Sequence, residues 1–114
     1  MVSQREIVLL SFPFSDLQTS KVRPAVVLSN DSYNRRSEDF VAVPLTSNLR
    51  YREYAVLITR EGLETGKLIV DSKAKVDRVF SVSQGLVRMS IGRLKKDLYE
   101  QIINTFLELV NDSP

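Results

Sequence analysis

Pro24-Ala25-Val26-Val27-Leu28-Ser29-Asn30 reads as a buried β-strand: an apolar run of strand length, with a proline at the first position, where a missing backbone donor is tolerated. Upstream, Glu6-Ile7-Val8-Leu9-Leu10-Ser11-Phe12 is short for a helix and rich in residues that suit strands. Between the two, Phe14 to Arg23 is polar and full of turn formers, which predicts a loop of about ten residues, a length that compact domains commonly use for function. Downstream, Asn30-Asp31-Ser32 turns the chain and Tyr33 to Glu38 is a polar excursion carrying Arg35 and Arg36. Phe40-Val41-Ala42-Val43-Pro44-Leu45-Thr46 is a third strand whose proline places its far end at an edge or bulge. Tyr54 to Thr59 is a fourth.

Glu61 to Gly66 predicts one helical turn closed by Gly66, and Lys67 to Asp71 and Ala74 to Val82 predict two further strands. The helix of the chain runs from Leu94 to about Val110. There Leu94, Leu98, Ile102 and Phe106 recur every four residues, joined by Tyr99, Ile103, Leu107 and Val110 in a wide apolar stripe. Gly92 and Arg93 stand where a capping Ser, Thr or Asp is expected. Five or six short strands followed by one amphipathic helix define a mainly β domain of the α+β kind, a small antiparallel sheet or half-open barrel covered by a C-terminal helix.

With 114 residues, 43% hydrophobic and 26% charged, the chain predicts one ordinary domain over residues 1–114, able to bury a single core and not two. No run approaches the roughly 18 apolar residues of a membrane span, and the N-terminus lacks the apolar core of a signal peptide, so a cytoplasmic protein without a membrane partner is expected. The chain has no cysteine and no histidine. Disulfides, zinc ribbons, thiol nucleophiles, Ser-His-Asp triads and a histidine base are thereby excluded, while a carboxylate-only magnesium site stays open.

The net charge of +2 hides an uneven distribution: the segment from Leu94 onward is −2 and the rest +4. Ten of the 16 cations are arginine, the side chain suited to bidentate contacts with phosphate or carboxylate. An anionic partner and a mixed solvated surface both fit this charge. Leu9, Phe12, Phe14, Leu17 and the helix stripe exceed the apolar surface one small barrel needs, a surplus that a homodimer or a well-filled core absorbs.

Three polar clusters are candidates for chemistry. In the long loop Ser20, Lys21 and Arg23 could clasp a phosphate; Thr46-Ser47-Asn48 ends a strand with Arg50 and Arg52 just beyond; and Lys75 and Asp77, two apart, fall on one face of a predicted strand. Each also has a structural reading, as a sheet edge, turn chemistry or a solvated ion pair.

Ile7 to Leu17, Ser20-Lys21-Val22-Arg23-Pro24 running on to Asn30, Val43-Pro44-Leu45-Thr46-Ser47-Asn48 and Ile91-Gly92-Arg93-Leu94 together resemble the PemK/MazF family of type II toxin endoribonucleases, in order and spacing over nearly the whole chain. The resemblance implies a small SH3-like, PemK-type antiparallel barrel with a C-terminal helix that forms a homodimer. It implies a toxin that cuts single-stranded RNA without a metal or other cofactor, and a cognate antitoxin whose flexible acidic segment occupies the RNA groove. Arg23 matches the catalytic arginine and Thr46 the catalytic threonine or serine, with Lys75 and Asp77 matching the basic and acidic pair of some PemK-type members. Asp16, Gln18, Ser20, Lys21, Ser47, Asn48 and Arg50 would contact RNA. Two positions depart from the pattern: Arg5-Glu6 stands where many members have Gly-Asp, and Gln18, which is no general base, stands where several have glutamate.

The chemistry agrees with the resemblance. RNA brings its own nucleophile, the 2′-hydroxyl, so positioning and charge stabilisation suffice. Arg23 would bridge the phosphate oxygens, Thr46 would orient one of them, and Asp77, held ionised by Lys75, would take the 2′-hydroxyl proton. The alternatives are a non-enzymatic, gyrase-poisoning toxin of the CcdB kind, which shares the fold, and a barrel that only binds a partner.

Overall fold

The computed structural model describes residues 1–13 and 20–112, with residues 12, 13 and 20 described by their backbone alone. The expectations resting on Phe14, Asp16, Leu17 and Gln18, and on the side chains of Phe12 and Ser20, lie outside the described residues. The strands are β1 (Glu6–Pro13), β2 (Ser20–Val27), β3 (Asp39–Thr46), β4 (Ala55–Ile58), β5 (Leu63–Gly66), β6 (Ser72–Lys75), β7 (Phe80–Ser83) and β8 (Val87–Leu94); the helices are α1 (Asp31–Arg36) and α2 (Lys96–Val110). They form one curled antiparallel sheet in the order β4-β6-β3-β2-β1-β8-β5, with β7 beside β3. The mainly β half-barrel with a C-terminal helix is the architecture the sequence predicts.

The central strands are apolar at consecutive positions because both of their faces are buried, the pattern expected of a sheet covered on two sides. Ile7, Val26, Val43 and Leu45 face one cluster, which α2 closes with Ile102 and the flanking Leu98 and Phe106. Val8 and Leu10, Ala25 and Val27, Phe40 and Ala42 face the other, closed by Val2 and Val82. The single core expected from chain length is therefore two clusters, one on each face of the same sheet.

The helix stripe changes element partway along. Leu94 belongs to the end of β8, where its N–H donates to Arg5 O (2.9 Å), and α2 starts at Lys96 with Lys95 at an N-cap that makes no side-chain hydrogen bond. Leu94 and Ile102 are both fully buried in the same cluster, so the four-residue repeat continues from strand into helix without a break. Arg5, where the family's glycine is expected, has φ +76°, in the left-handed region that favours glycine. Its guanidinium donates to Leu94 O (2.9 Å) and pairs with Glu64 (3.5 Å), contacts a glycine would lack that offset the backbone cost.

Several predicted elements are corrected. Pro24 is the fifth residue of β2, not its first, and Ser20 to Arg23 are strand rather than loop. The proline is tolerated because the β2–β3 ladder starts only at Ala25↔Pro44, so β3 asks no donor of it. Pro44 sits where β3 exchanges neighbours along one edge, from β7 (Asp39 to Ala42) to β6 (Leu45 and Thr46). Lys67 to Asp71 is not a strand; the chain leaves the sheet after Gly66, and Ile69 is 97% exposed. Within Ala74 to Val82 a 3-10 turn (Val76–Arg78) separates β6 from β7, and the turn expected over Glu61 to Gly66 is shorter (Arg60–Gly62) and followed by β5. The polar excursion after Asn30 contains α1. Asn30 caps it, accepting from Tyr33 N–H (2.8 Å), and the buried Asn34 anchors it through Ser29.

One glycine sets how closely two strands approach. Gly66 has φ +84° and pairs with Gly92 across β5 and β8, and a Cβ at Gly66 would collide with Ile91 O and the Gly92 Cα. Both obstacles are backbone, so Gly66→Ala is expected to lower stability by about 2–4 kcal/mol in denaturant unfolding. A wild-type midpoint for this variant would contradict the tight approach.

Candidate functional site

A groove of about 780 Å³ crosses the sheet where β1, β2, the end of β3 and β8 meet the segment that follows β5. Its polar part holds Lys21, Arg23, Thr46, Ser47 and Lys67, and its apolar wall holds Leu9, Leu68, Ile69, Val70 and Met89. Ile69, Val70, Met89 and Val22 are exposed apolar side chains gathered on one hollow, which marks a binding surface rather than scattered surface apolars. Another hollow of about 690 Å³ is knitted by its own polar groups: Gln84 accepts from Val2 N–H (3.0 Å) and donates to the carbonyls of Asn34 (2.7 Å) and Ser37 (3.0 Å). The groove, with its cations and unfilled apolar wall, is the better candidate.

The groove brings the two separate sequence clusters together. β2 and β3 pair as Val27↔Ala42, Val26↔Val43 and Ala25↔Pro44. The ladder ends at Ala25↔Pro44, and beyond it Arg23 of β2 and Thr46 of β3 both line the groove. Thr46 pairs with Lys73, and Lys73 with Leu57, so Thr46, Lys73 and Leu57 lie in one cross-strand row. Lys73 escapes the sequence reading. Its alternation with Lys75 along β6 is the one sequence signal for it, and only register places it beside Thr46.

Thr46 Oγ1 accepts the N–H of Asn48 (3.1 Å), and Asn48 Oδ1 accepts that of Arg50 (3.1 Å). With the oxygen serving as an acceptor inside the turn, the hydroxyl proton is left to donate outward. Ser47, Asn48 and Arg50 are exposed, as are Lys21 and Arg23. Asp16 and Gln18 lie outside the described residues, and Ser20 contributes only its backbone, in β2.

Lys75 and Asp77 do not share a strand face, because β6 ends at Lys75 and Asp77 lies in the following 3-10 turn. Neither is among the residues lining the groove. Among the described residues the cations paired with Asp77 are Arg52, whose Nη2 donates to both carboxylate oxygens (3.0 and 3.2 Å), and Arg78 at 4.0 Å, in place of the expected Lys75. No three His, Cys, Asp or Glu side chains among the described residues come together as a metal site. No helix among them is long and apolar enough to cross a membrane.

A family model, that of the PemK-like, MazF-like toxin of type II toxin-antitoxin systems, matches residues 3–110, and the chain belongs to that toxin family. Solved structures with the same fold include MazE–MazF from Deinococcus radiodurans (TM-score 0.81, 21% identity, 98% of each chain covered). An endoribonuclease in complex with its cognate antitoxin from a mycobacterial species is similar over the whole of both chains (TM-score 0.78, 16% identity). The Mycobacterium tuberculosis toxin MazF-mt6 is similar over 91% of this chain and 94% of its own (TM-score 0.73, 17% identity). No curated protein sequence matches the chain.

Proposed function

We propose that this toxin is an endoribonuclease that cuts single-stranded RNA without a metal, using the 2′-hydroxyl beside the scissile phosphate. The observation that carries the reading is that Arg23 of β2 and Thr46 of β3 line one groove with cations on one side and an apolar wall on the other. The 2′-oxygen forms a bond to phosphorus while the bond to the 5′-oxygen breaks, leaving a 2′,3′-cyclic phosphate and a 5′-hydroxyl. Negative charge builds on the non-bridging oxygens in the transition state, and the Arg23 fork meets it with two parallel donors. Thr46 donates its hydroxyl proton to one of these oxygens and fixes the phosphate's orientation. Asp77, oriented by Arg52 and outside the groove lining, takes the 2′-hydroxyl proton through a bridging water, with Lys75 adding positive field, and solvent in the open groove protonates the departing 5′-oxygen.

The same groove accounts for the partners. Lys21, Arg23 and Lys67 suit the carboxylates of an acidic antitoxin segment, whose apolar side chains cover Ile69, Val70 and Met89. A protein seated there excludes RNA, and the toxin acts in the cytoplasm, where its RNA is. The apolar surplus is shared with a second copy of the chain in a homodimer. The test is purified protein on a long unstructured RNA in excess chelator, beside a topoisomerase cleavage-complex assay. The reading expects fragments at discrete positions and no trapped topoisomerase; intact RNA with a trapped topoisomerase would transfer the function to the gyrase-poisoning class.

A further inference from the structure

Tyr51 is 87% exposed at the tip of a loop, residues 47–54, that is anything but loose. At its start, Asn48 N–H and Arg50 N–H are held by Thr46 and Asn48. At its middle, Lys73 Nζ donates to Arg50 O (3.0 Å) and Arg52 grips Asp77 with both contacts described above. At its end, Tyr54 takes φ +55° and its carbonyl accepts the N–H of Val76 (3.0 Å). A ring on so fixed a frame loses little freedom when something stacks on it.

Charge identifies what stacks. Residues 48–54 and 72–78 carry Arg50, Arg52, Lys73, Lys75 and Arg78 against Glu53 and Asp77, an excess of three, larger than the net charge of the whole chain. Asp77 is already bound to Arg52. Beside the ring the exposed apolar neighbour in the loop is Leu49, too little surface for an apolar peptide. The loop also starts at the groove, since Ser47 lines it, and Tyr51 stands four residues along the chain from Ser47.

We propose that this loop is a second RNA-contacting element outside the groove, in which the Tyr51 ring stacks an unpaired base while Arg50 and Lys73 hold the adjoining phosphate. The inference rests on the RNA-cleaving reading above. Stacking on an aromatic side chain accepts any base, so Tyr51 sets how long a strand the toxin holds, more than which bases it reads.

The test compares wild type, Tyr51→Ala and Tyr51→Phe on one cleavable single strand, shortened stepwise from either end. Loss of one stacked base is expected to raise the KM of Tyr51→Ala on the long strand about tenfold, with kcat nearly unchanged and the melting temperature that of wild type. Shortening costs wild type the same factor at one step, and Tyr51→Ala shows no such step; Tyr51→Phe behaves as wild type. A Tyr51→Ala that matches wild type on the long strand, or that is equally impaired on every length, overturns the proposal. So does a Tyr51→Ala whose only defect is weaker inhibition by an acidic peptide, which would make the loop a protein contact. If wild type itself leaves every strand intact the cleavage reading falls, a result distinct from all of these.

Discussion

An RNA in which the single ribose 5′ to the scissile phosphate is replaced by 2′-deoxyribose is expected to survive at the background rate, while an all-ribose strand of the same sequence is cut. The reason is the composition of the site. The chain has no histidine or cysteine, so the groove lacks the two side chains most often used to activate a water or supply a nucleophile. A neighbouring 2′-hydroxyl needs far less, because its attack is intramolecular and effective molarities in well-oriented systems reach about 10⁵ M or more. The deoxy strand should still bind, since the contacts proposed for Arg23 and Lys21 are to phosphate, and it should compete with all-ribose RNA at similar concentration. Cutting of the deoxy strand at the same bond would require an external nucleophile and would remove this mechanism.

Arg23→Ala should lower the cleavage rate by a factor on the order of 10²–10³, the usual cost of removing one donor from a developing oxyanion. Arg23 is exposed and belongs to neither buried cluster, so its loss should leave the melting temperature close to wild type. That separates a catalytic defect from a folding defect. Arg23→Lys is expected to recover only part of the rate, because an ammonium keeps the charge but not the paired donors. Full activity in Arg23→Ala would move the reaction out of this groove.

The fold was legible wherever burial and periodicity agreed. The β3 core residues and the α2 positions Leu98, Ile102 and Phe106 stand in the sequence as they stand in the structure, because each buries apolar side chains at the period of its own element, whereas Leu107 and Val110 of the predicted stripe are exposed. β8 was not legible: its pairing with β1 shifts register at two places, between Ile7 and Val8 and between Leu9 and Leu10. Each irregularity turns side chains to the other face and erases the alternation by which a strand is read. Leu68-Ile69-Val70 misled in the opposite sense, since only Leu68 packs against a core while Ile69 and Val70 are exposed on a groove wall. α1 was hidden because a buried asparagine anchors it instead of an apolar stripe.

At the site, Arg23 and Thr46 stood out as separate polar clusters, but nothing local in the chain shows that β2 and β3 bring them to one groove. The same is true of Lys73, which becomes Thr46's neighbour only through the β3–β6 ladder. Spacing alone paired Lys75 with Asp77, and the strand end at Lys75 gave Asp77 to Arg52 instead. Residue chemistry is written along the chain, whereas adjacency across strands is set by register, and register follows from long-range packing.

The central claim is that the groove cuts RNA through its own ribose and without a metal. End-group analysis of the fragments made from one defined single-stranded RNA in excess chelator tests it most directly. The account predicts a 2′,3′-cyclic phosphate on the upstream fragment and a 5′-hydroxyl on the downstream one, which polynucleotide kinase labels without prior dephosphorylation. A 5′-phosphate on the downstream fragment, or cleavage that chelator abolishes and magnesium restores, would contradict it.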